Sequence, residues 1–293
     1  MSQDTIDQLL AGITSVTWQS LVMMAIGGLL IFLAISREYE PLLLLPIGAG
    51  AILANLPLSP LVADGGLLTI LYDIGVGNEL FPLFIFIGIG ALTDFGPLLE
   101  NPKMVLLGAA GQFGIFLTVI LALLLGFDRN QAASIGIIGA IDGPTSIYVS
   151  GRLAPELLGP ITVAAYSYMA LVPLIMPPVM RLLTTKAERS IRMPYTQREI
   201  SQRTRVLFPI VVTVAVGIVV PFATPLIGCL MLGNLMRESK VVERLTHASA
   251  NELANVVTLF LGLAIGATMQ GEAFLQVGTL AILGLGLIAF FLD

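Results

Sequence analysis

Charged residues are scarce in this chain: 11% of its residues are Asp, Glu, Lys or Arg, whereas soluble domains average about 25%. Hydrophobic residues make up 56%, and the mean hydropathy is +0.95. This composition excludes a soluble globular domain and predicts an all-α polytopic membrane protein. Thirty glycines and seventeen prolines fit that class, because broken and closely packed membrane helices tolerate both residues.

Cysteine and histidine are almost absent. Cys229 is the single cysteine, which excludes an internal disulfide, and His247 is the single histidine, which excludes a histidine-rich metal cluster. No Lys or Arg precedes Arg37, so the N-terminus lacks the positive region of a cleavable signal peptide. The formal net charge of -5 gives no support for nucleic-acid binding.

About ten apolar segments are predicted to form membrane helices or parts of them. They are residues 21–35, 42–56, 81–92, 105–127, 132–149, 161–183, 206–222, 226–235, 253–269 and 280–292. Several are shorter than the ~20 residues of a straight span, which indicates broken or re-entrant helices of the transporter type. Residues 1–18 are predicted to form an amphipathic interfacial helix that ends with Trp18 at the headgroup level.

Asp142 is the only charged residue in the apolar stretch 136–148. A carboxylate at the centre of a membrane helix costs roughly 2.5 to 3.5 kcal/mol on insertion scales, so the position favours a functional role. The alternative is a kinked span in which Asp142 faces a water-filled crevice and has no function.

Gly143 and Pro144 follow Asp142 and predict a break in the helix, with the first half ending near Ala140 and the second restarting at Thr145. At such a break, helix-end carbonyl and N–H groups lose their partners and point at the gap. Secondary transporters build ion sites in this way. We therefore predict a Na+ site formed by Asp142, Gly143, Thr145 and Ser146.

Basic residues concentrate in one loop. It holds seven of the fourteen Lys and Arg residues: Arg181, Lys186, Arg189, Arg192, Arg198, Arg203 and Arg205. The positive-inside rule predicts that this loop is cytoplasmic, where it could also dock a soluble partner. The predicted organisation is a first membrane repeat with its N-terminal helix (1–181), the basic loop (182–205) and a second membrane repeat (206–293).

The two membrane parts are weakly related. LANL at 53–56 precedes NEL at 78–80, and LGNL at 232–235 precedes NEL at 251–253. This common order predicts two repeats, inverted as in many transporters. Asn78 precedes Asp142 by 64 residues, and the equivalent position after Asn251 exceeds 293. We therefore expect the second repeat to be incomplete here, with its own broken helix beyond the last residue.

Five motifs carry a resemblance to a known family. They are FGPLLENP (95–102), GQFG (111–114), GAIDGPT (139–145), AYSYMALVP (165–173) and LGNLMRES (232–239). Together they are similar to the beta subunit of the Na+-translocating, biotin-dependent decarboxylases, along nearly the whole chain. The family, however, continues past residue 293 into a further span and a second polar broken segment, which supports the expectation of an incomplete repeat.

The resemblance implies a function. In this family the beta subunit, in the prokaryotic inner membrane, decarboxylates carboxybiotin from a biotin carrier, consumes a proton and exports Na+. A carboxyltransferase alpha subunit and a small membrane gamma subunit complete the complex. The family's essential aspartate corresponds to Asp142, and its functional tyrosine corresponds to Tyr168. Tyr166 and Tyr168 are about 200° apart around a helix, so at most one of them faces Asp142.

Two other functions remain open from the sequence. A stand-alone Na+/H+ transporter would use the same broken-helix site without decarboxylation. A structural membrane anchor for soluble subunits would not need the charge of Asp142. Acidic residues at the predicted span ends are expected to be hydrated rather than catalytic: Asp73, Glu79, Asp94, Glu100 and Glu156.

Overall fold

The structure is a computed structural model that describes residues 11–192 and 200–292. Within these ranges every regular element is a helix. The α-helices are α1 (Trp18–Arg37), α2 (Pro41–Asn55), α3 (Leu67–Leu71), α4 (Leu80–Leu92), α5 (Gly96–Glu100), α6 (Val105–Ala110), α7 (Phe113–Leu124), α8 (Arg129–Gly136), α9 (Gly143–Leu153), α10 (Leu158–Leu183), α11 (Lys186–Arg189), α12 (Gln202–Val219), α13 (Thr224–Ser239), α14 (Glu243–Ala248), α15 (Ala254–Thr268), α16 (Gly271–Phe274) and α17 (Val277–Leu292). The interfacial helix predicted for residues 1–18 lies mostly outside the described residues.

Four helical stretches of the described chain are long and apolar enough to cross a membrane: Trp18–Arg37, Pro102–Leu124, Gln202–Val219 and Glu243–Thr268. Leu67–Gly77 and Leu80–Leu92 meet at a bend of 61° and, counted together as one span, bring the number in the described chain to five. Leucine and valine side chains on these helices are widely exposed, as lipid-facing residues are. The chain is a polytopic α-helical membrane protein. That all ten predicted segments take part in crossing the membrane stays a prediction.

Close helix crossings connect the early and late parts of the chain. Helix α2 packs along α15, and α4 packs along α13. Where α4 meets α13, a Cβ at Gly90 would overlap the Leu230 carbonyl, and a Cβ at Gly233 would overlap the Ile87 carbonyl. Glycine at both positions lets the two backbones touch, which is how membrane helices gain packing energy without a hydrophobic driving force.

An asparagine side chain joins the helix ends at each of these crossings. Asn55, the last residue of α2, donates to the Met269 carbonyl at 2.7 Å and accepts from the Gly271 N–H at 2.9 Å. Asn234 of α13 donates to the Thr93 carbonyl at 2.9 Å. Met269 follows α15 and Thr93 follows α4, so both asparagines bind a carbonyl just past the C-terminus of the partner helix.

An ion-pair network lies at one end of the helix bundle. We call the end at which α10 finishes and α12 begins the basic end, because the basic loop joins these helices there. Two acidic and two basic side chains form a network at this end, with N–O distances of 3.4 to 3.8 Å: Asp94, Arg205, Arg237 and Glu238. Asp94 is therefore ion-paired rather than simply hydrated. Arg198 of the loop lies outside the described residues.

Candidate functional site

The predicted broken helix is a re-entrant hairpin. Helix α8 begins at the end of the bundle opposite the basic end. A 3₁₀ turn at Ile137–Ala140 then leads to the break before α9. The Ser146 hydroxyl lies 3.5 Å from the Ile137 carbonyl oxygen. At the open end of the hairpin, which we call its mouth, the Gln131 side-chain amide donates to the Glu156 carboxylate at 3.0 Å, across 25 residues of sequence. The chain therefore turns back after the break, which is the re-entrant form of the broken or re-entrant helices that the sequence predicts.

The turn itself has an unusual backbone. Ile141 has φ 52° and ψ 33°, a left-handed conformation that a β-branched residue rarely adopts. Asp142 has an extended backbone and caps α9, whose first two residues are Gly143 and Pro144. Proline fits at this position because the N–H that it lacks would have no partner within the helix. The first arm ends at Ala140 as predicted, whereas the second begins at Gly143 rather than Thr145. Strained residues of this kind concentrate at functional sites.

Asp142 lies at the tip of this hairpin, half-buried. Its side chain accepts a hydrogen bond from the Thr145 hydroxyl and a longer one, of 3.4 Å, from the Thr145 N–H. The Asp142 carbonyl accepts from the Ser146 N–H at 3.0 Å and from the Ser146 hydroxyl at 2.9 Å. The structure thus brings together all four predicted site residues, since Gly143 links Asp142 to the helix that carries Thr145 and Ser146.

The donor set at the tip consists of oxygen atoms. In the described chain, no hydrogen bond to the carbonyl oxygen of Ile141 is found, so it is available beside the Asp142 carboxylate. Among the described residues no group of three or more His, Cys, Asp or Glu residues is placed to hold a metal ion. One carboxylate with hydroxyl and carbonyl oxygens is suited to a hard cation of low charge.

The two tyrosines of α10 lie in different parts of the core, as their spacing predicts. Tyr168 donates a hydrogen bond to the Leu283 carbonyl and stacks on Phe290, with ring centroids 6.1 Å apart. Tyr166 is only 1% exposed, and its ring lies against Gly143 at the hairpin tip. The tyrosine beside Asp142 is therefore Tyr166, which sequence spacing alone could not distinguish from Tyr168.

The mouth of the hairpin is fastened to its neighbours. Arg152, near the end of α9, pairs with Glu79 at 2.9 Å and lies over the Tyr148 ring, 4.5 Å from its centroid. The Tyr148 hydroxyl donates to the Phe222 carbonyl at 2.7 Å. Phe222 follows α12 at the end opposite the basic end, so the mouth opens there. These contacts were not predicted, since Glu79 was expected to be hydrated.

The sequence is similar to known proteins along most of its length. Residues 19–293 match the family model described as Na+-transporting oxaloacetate decarboxylase beta subunit. The chain belongs to this beta-subunit family. It is 51% identical to the methylmalonyl-CoA decarboxylase subunit beta of Propionigenium modestum, covering 92% of this chain and 74% of that protein. Identity to the glutaconyl-CoA decarboxylase subunit beta of Acidaminococcus fermentans is 50%, covering 96% and 74%. It is 47% to the oxaloacetate decarboxylase beta chain of Klebsiella pneumoniae, covering 92% and 76%.

Membership of the beta-subunit family confirms the resemblance seen in the sequence. These relatives are subunits of decarboxylases, so the family acts within multi-subunit complexes, and its model is that of a sodium-transporting protein. A beta subunit that moves sodium needs oxygen ligands within the membrane. In the described part of this chain, the hairpin tip is where a carboxylate, a hydroxyl and an open carbonyl oxygen meet.

Proposed function

We propose that this beta subunit couples the decarboxylation of carboxybiotin to the export of Na+ across the prokaryotic cytoplasmic membrane. A biotin carrier supplies the carboxybiotin, and a carboxyltransferase alpha subunit and a small gamma subunit complete the assembly. The observation that carries this proposal is the Asp142 carboxylate at the tip of a re-entrant hairpin. An arm of eleven residues is about 16 Å long, close to half of the ~30 Å hydrocarbon thickness.

The Na+ site consists of Asp142, Gly143, Thr145 and Ser146. Sodium enters from the cytoplasmic side and is held by the ionised Asp142 carboxylate with the Thr145 hydroxyl and the backbone oxygens of the turn. Proton entry from outside neutralises Asp142, which weakens its hold on the cation and favours outward release. Tyr168 relays this proton, because a phenol both donates and accepts. Its present bond to the Leu283 carbonyl opens during the relay.

Decarboxylation supplies the driving force. The C–N bond of carboxybiotin breaks, CO2 leaves, and the ring nitrogen of biotin takes up the proton. Moving one charge against 100 mV costs about 2.3 kcal/mol before any concentration gradient, so sodium export requires such an exergonic partner step. The carboxybiotin docks at the basic end, which the charge of the loop at 182–205 assigns to the cytoplasm.

The membrane part consists of two inverted repeats, the first within residues 1–181, which also hold the N-terminal interfacial helix, and the second within residues 206–293. The asparagine contacts support this relation: Asn55 bonds beyond α15 in the same way as Asn234 bonds beyond α4. A π-helical turn precedes each of these partner helices, at Tyr72–Gly77 and at Ser249–Leu253. Each repeat therefore contributes one helix to each crossing.

Proteoliposomes separate this function from the alternatives. The assembled complex should accumulate tracer Na+ only while carboxybiotin is consumed, and the beta subunit alone should not exchange Na+ for H+. Exchange by the single subunit without biotin would instead identify a Na+/H+ transporter. Decarboxylation that proceeds at the same rate without Na+ movement would identify an anchor and contradict the proposal.

Replacing Thr145 by valine tests the hydroxyl of the site. The substitution keeps the side-chain shape but removes the hydroxyl bonded to Asp142, and hydrogen bonds to charged groups contribute about 1.5 to 3 kcal/mol. The Na+ concentration for half-maximal uptake should rise about ten- to hundredfold. Thr118→Val is the matched control, because its buried hydroxyl has no hydrogen-bond partner in the described chain. An unchanged half-saturation in Thr145→Val would remove the Thr145 hydroxyl from the site.

A further inference from the structure

Tyr166 carries a buried hydroxyl that the described structure leaves without a hydrogen-bond partner. Its side chain is 1% exposed, so bulk solvent does not reach the hydroxyl. A buried hydroxyl without a partner loses its hydration and gains nothing in return, which makes the position costly. Tyr148 shows the usual solution: it is equally buried, and its hydroxyl donates to the Phe222 carbonyl at 2.7 Å.

The position of Tyr166 connects it to the hairpin tip. A Cβ on Gly143 would overlap the Tyr166 ring, so the ring occupies the space that a side chain at the start of α9 would need. Gly143 follows Asp142 directly in the chain, so the Tyr166 ring lies beside the residue that carries the carboxylate. Asp142 itself is directed at Thr145, and the Asp142 carboxylate and the Tyr166 hydroxyl do not bond to each other in the structure.

We propose that the Tyr166 hydroxyl is an additional oxygen ligand of the cation bound at Asp142. This inference rests on the proposed function and extends its site from the hairpin to the neighbouring helix α10. The phenol oxygen has lone pairs to offer a cation, and a neutral ligand adds coordination without adding charge. Gly143 is then required at the tip because it lets the Tyr166 ring reach the Asp142 side.

Tyr166→Phe tests the proposal by removing only the hydroxyl. In the assembled complex, the Na+ concentration for half-maximal uptake should rise about tenfold, which corresponds to about 1.4 kcal/mol, while the maximal rate is retained. A purely structural role of the ring predicts no change, because phenylalanine fills the same space. Tyr148→Phe is the matched control and should leave Na+ half-saturation unchanged, since its hydroxyl lies at the hairpin mouth.

A second measurement does not depend on turnover. The melting temperature of the purified complex should rise with NaCl relative to choline chloride, and Tyr166→Phe should need about tenfold more NaCl for the same rise. Equal half-saturation of wild type and Tyr166→Phe in both measurements would overturn the proposal. That outcome would leave the proposed function intact as long as Asp142→Asn still blocks uptake, whereas uptake by Asp142→Asn would refute the function itself.

Discussion

Asp142→Asn is expected to abolish both tracer Na+ uptake and carboxybiotin decay in proteoliposomes, each by at least about a hundredfold, or about 2.8 kcal/mol. Asparagine has nearly the same shape and is as good a helix cap as aspartate, so α9 should still begin at Gly143. The substitution removes only the charge that attracts the cation and takes up the proton. The assembled complex should therefore form normally and be inactive.

Asp128→Asn is the matched control for this loss. Asp128 caps α8 with bonds to the N–H groups of Asn130 and Gln131, at 2.8 and 2.9 Å, but it lies exposed at the mouth of the hairpin. Asp128→Asn therefore removes the same charge and keeps a helix cap, but at the other end of the first arm. Uptake and decay should both remain near wild type in this control. Full retention of either activity in Asp142→Asn would remove Asp142 from its proposed role.

The second large effect is expected at the crossing of α4 and α13. In Gly90→Ala the new Cβ overlaps the Leu230 carbonyl, which belongs to the backbone and cannot rotate away. The two helices must separate, and overpacking of this kind costs typically about 1 to 3 kcal/mol. The upper end is expected, because the bond from Asn234 to the Thr93 carbonyl is strained by the same movement. The melting temperature and the yield of folded protein should both fall.

Two further variants give this prediction its controls. Gly284→Ala places a Cβ in open space within α17 and should be neutral or slightly stabilising, because alanine favours helices. Gly233→Ala disturbs the same crossing from the other side, so the double variant with Gly90→Ala should cost less than the sum of the two. Wild-type stability of Gly90→Ala would show that the helices do not pack this closely in the membrane.

The break at Asp142 could be predicted from the sequence because its causes are local. Gly143 and Pro144 disfavour a continuous helix whatever surrounds them, and Asp142 is costly in an apolar stretch at any orientation. The sequence predicts the restart at Thr145, two residues late, because a proline in a helix interior breaks the helix. At the second position of a helix, proline has no N–H to lose and fits well.

The course of the chain after the break could not be predicted. A helix pattern specifies which residues share a face, but it carries no information on whether the second arm continues or returns. That depends on contacts such as the one between Gln131 and Glu156. The choice between Tyr166 and Tyr168 is similar: spacing separates their directions, and only the packing of α10 against α17 and α9 assigns a neighbour to each.

The shape of the hairpin has an electrical consequence. In the proposed function the tip lies about half-way through the hydrocarbon layer, so a cation that binds there from the cytoplasm has already crossed about half of the membrane voltage, or about 1.2 kcal/mol per 100 mV. The loading step and the release step then share the electrical work between them. Sodium affinity measured without a voltage therefore differs from the affinity in an energised cell.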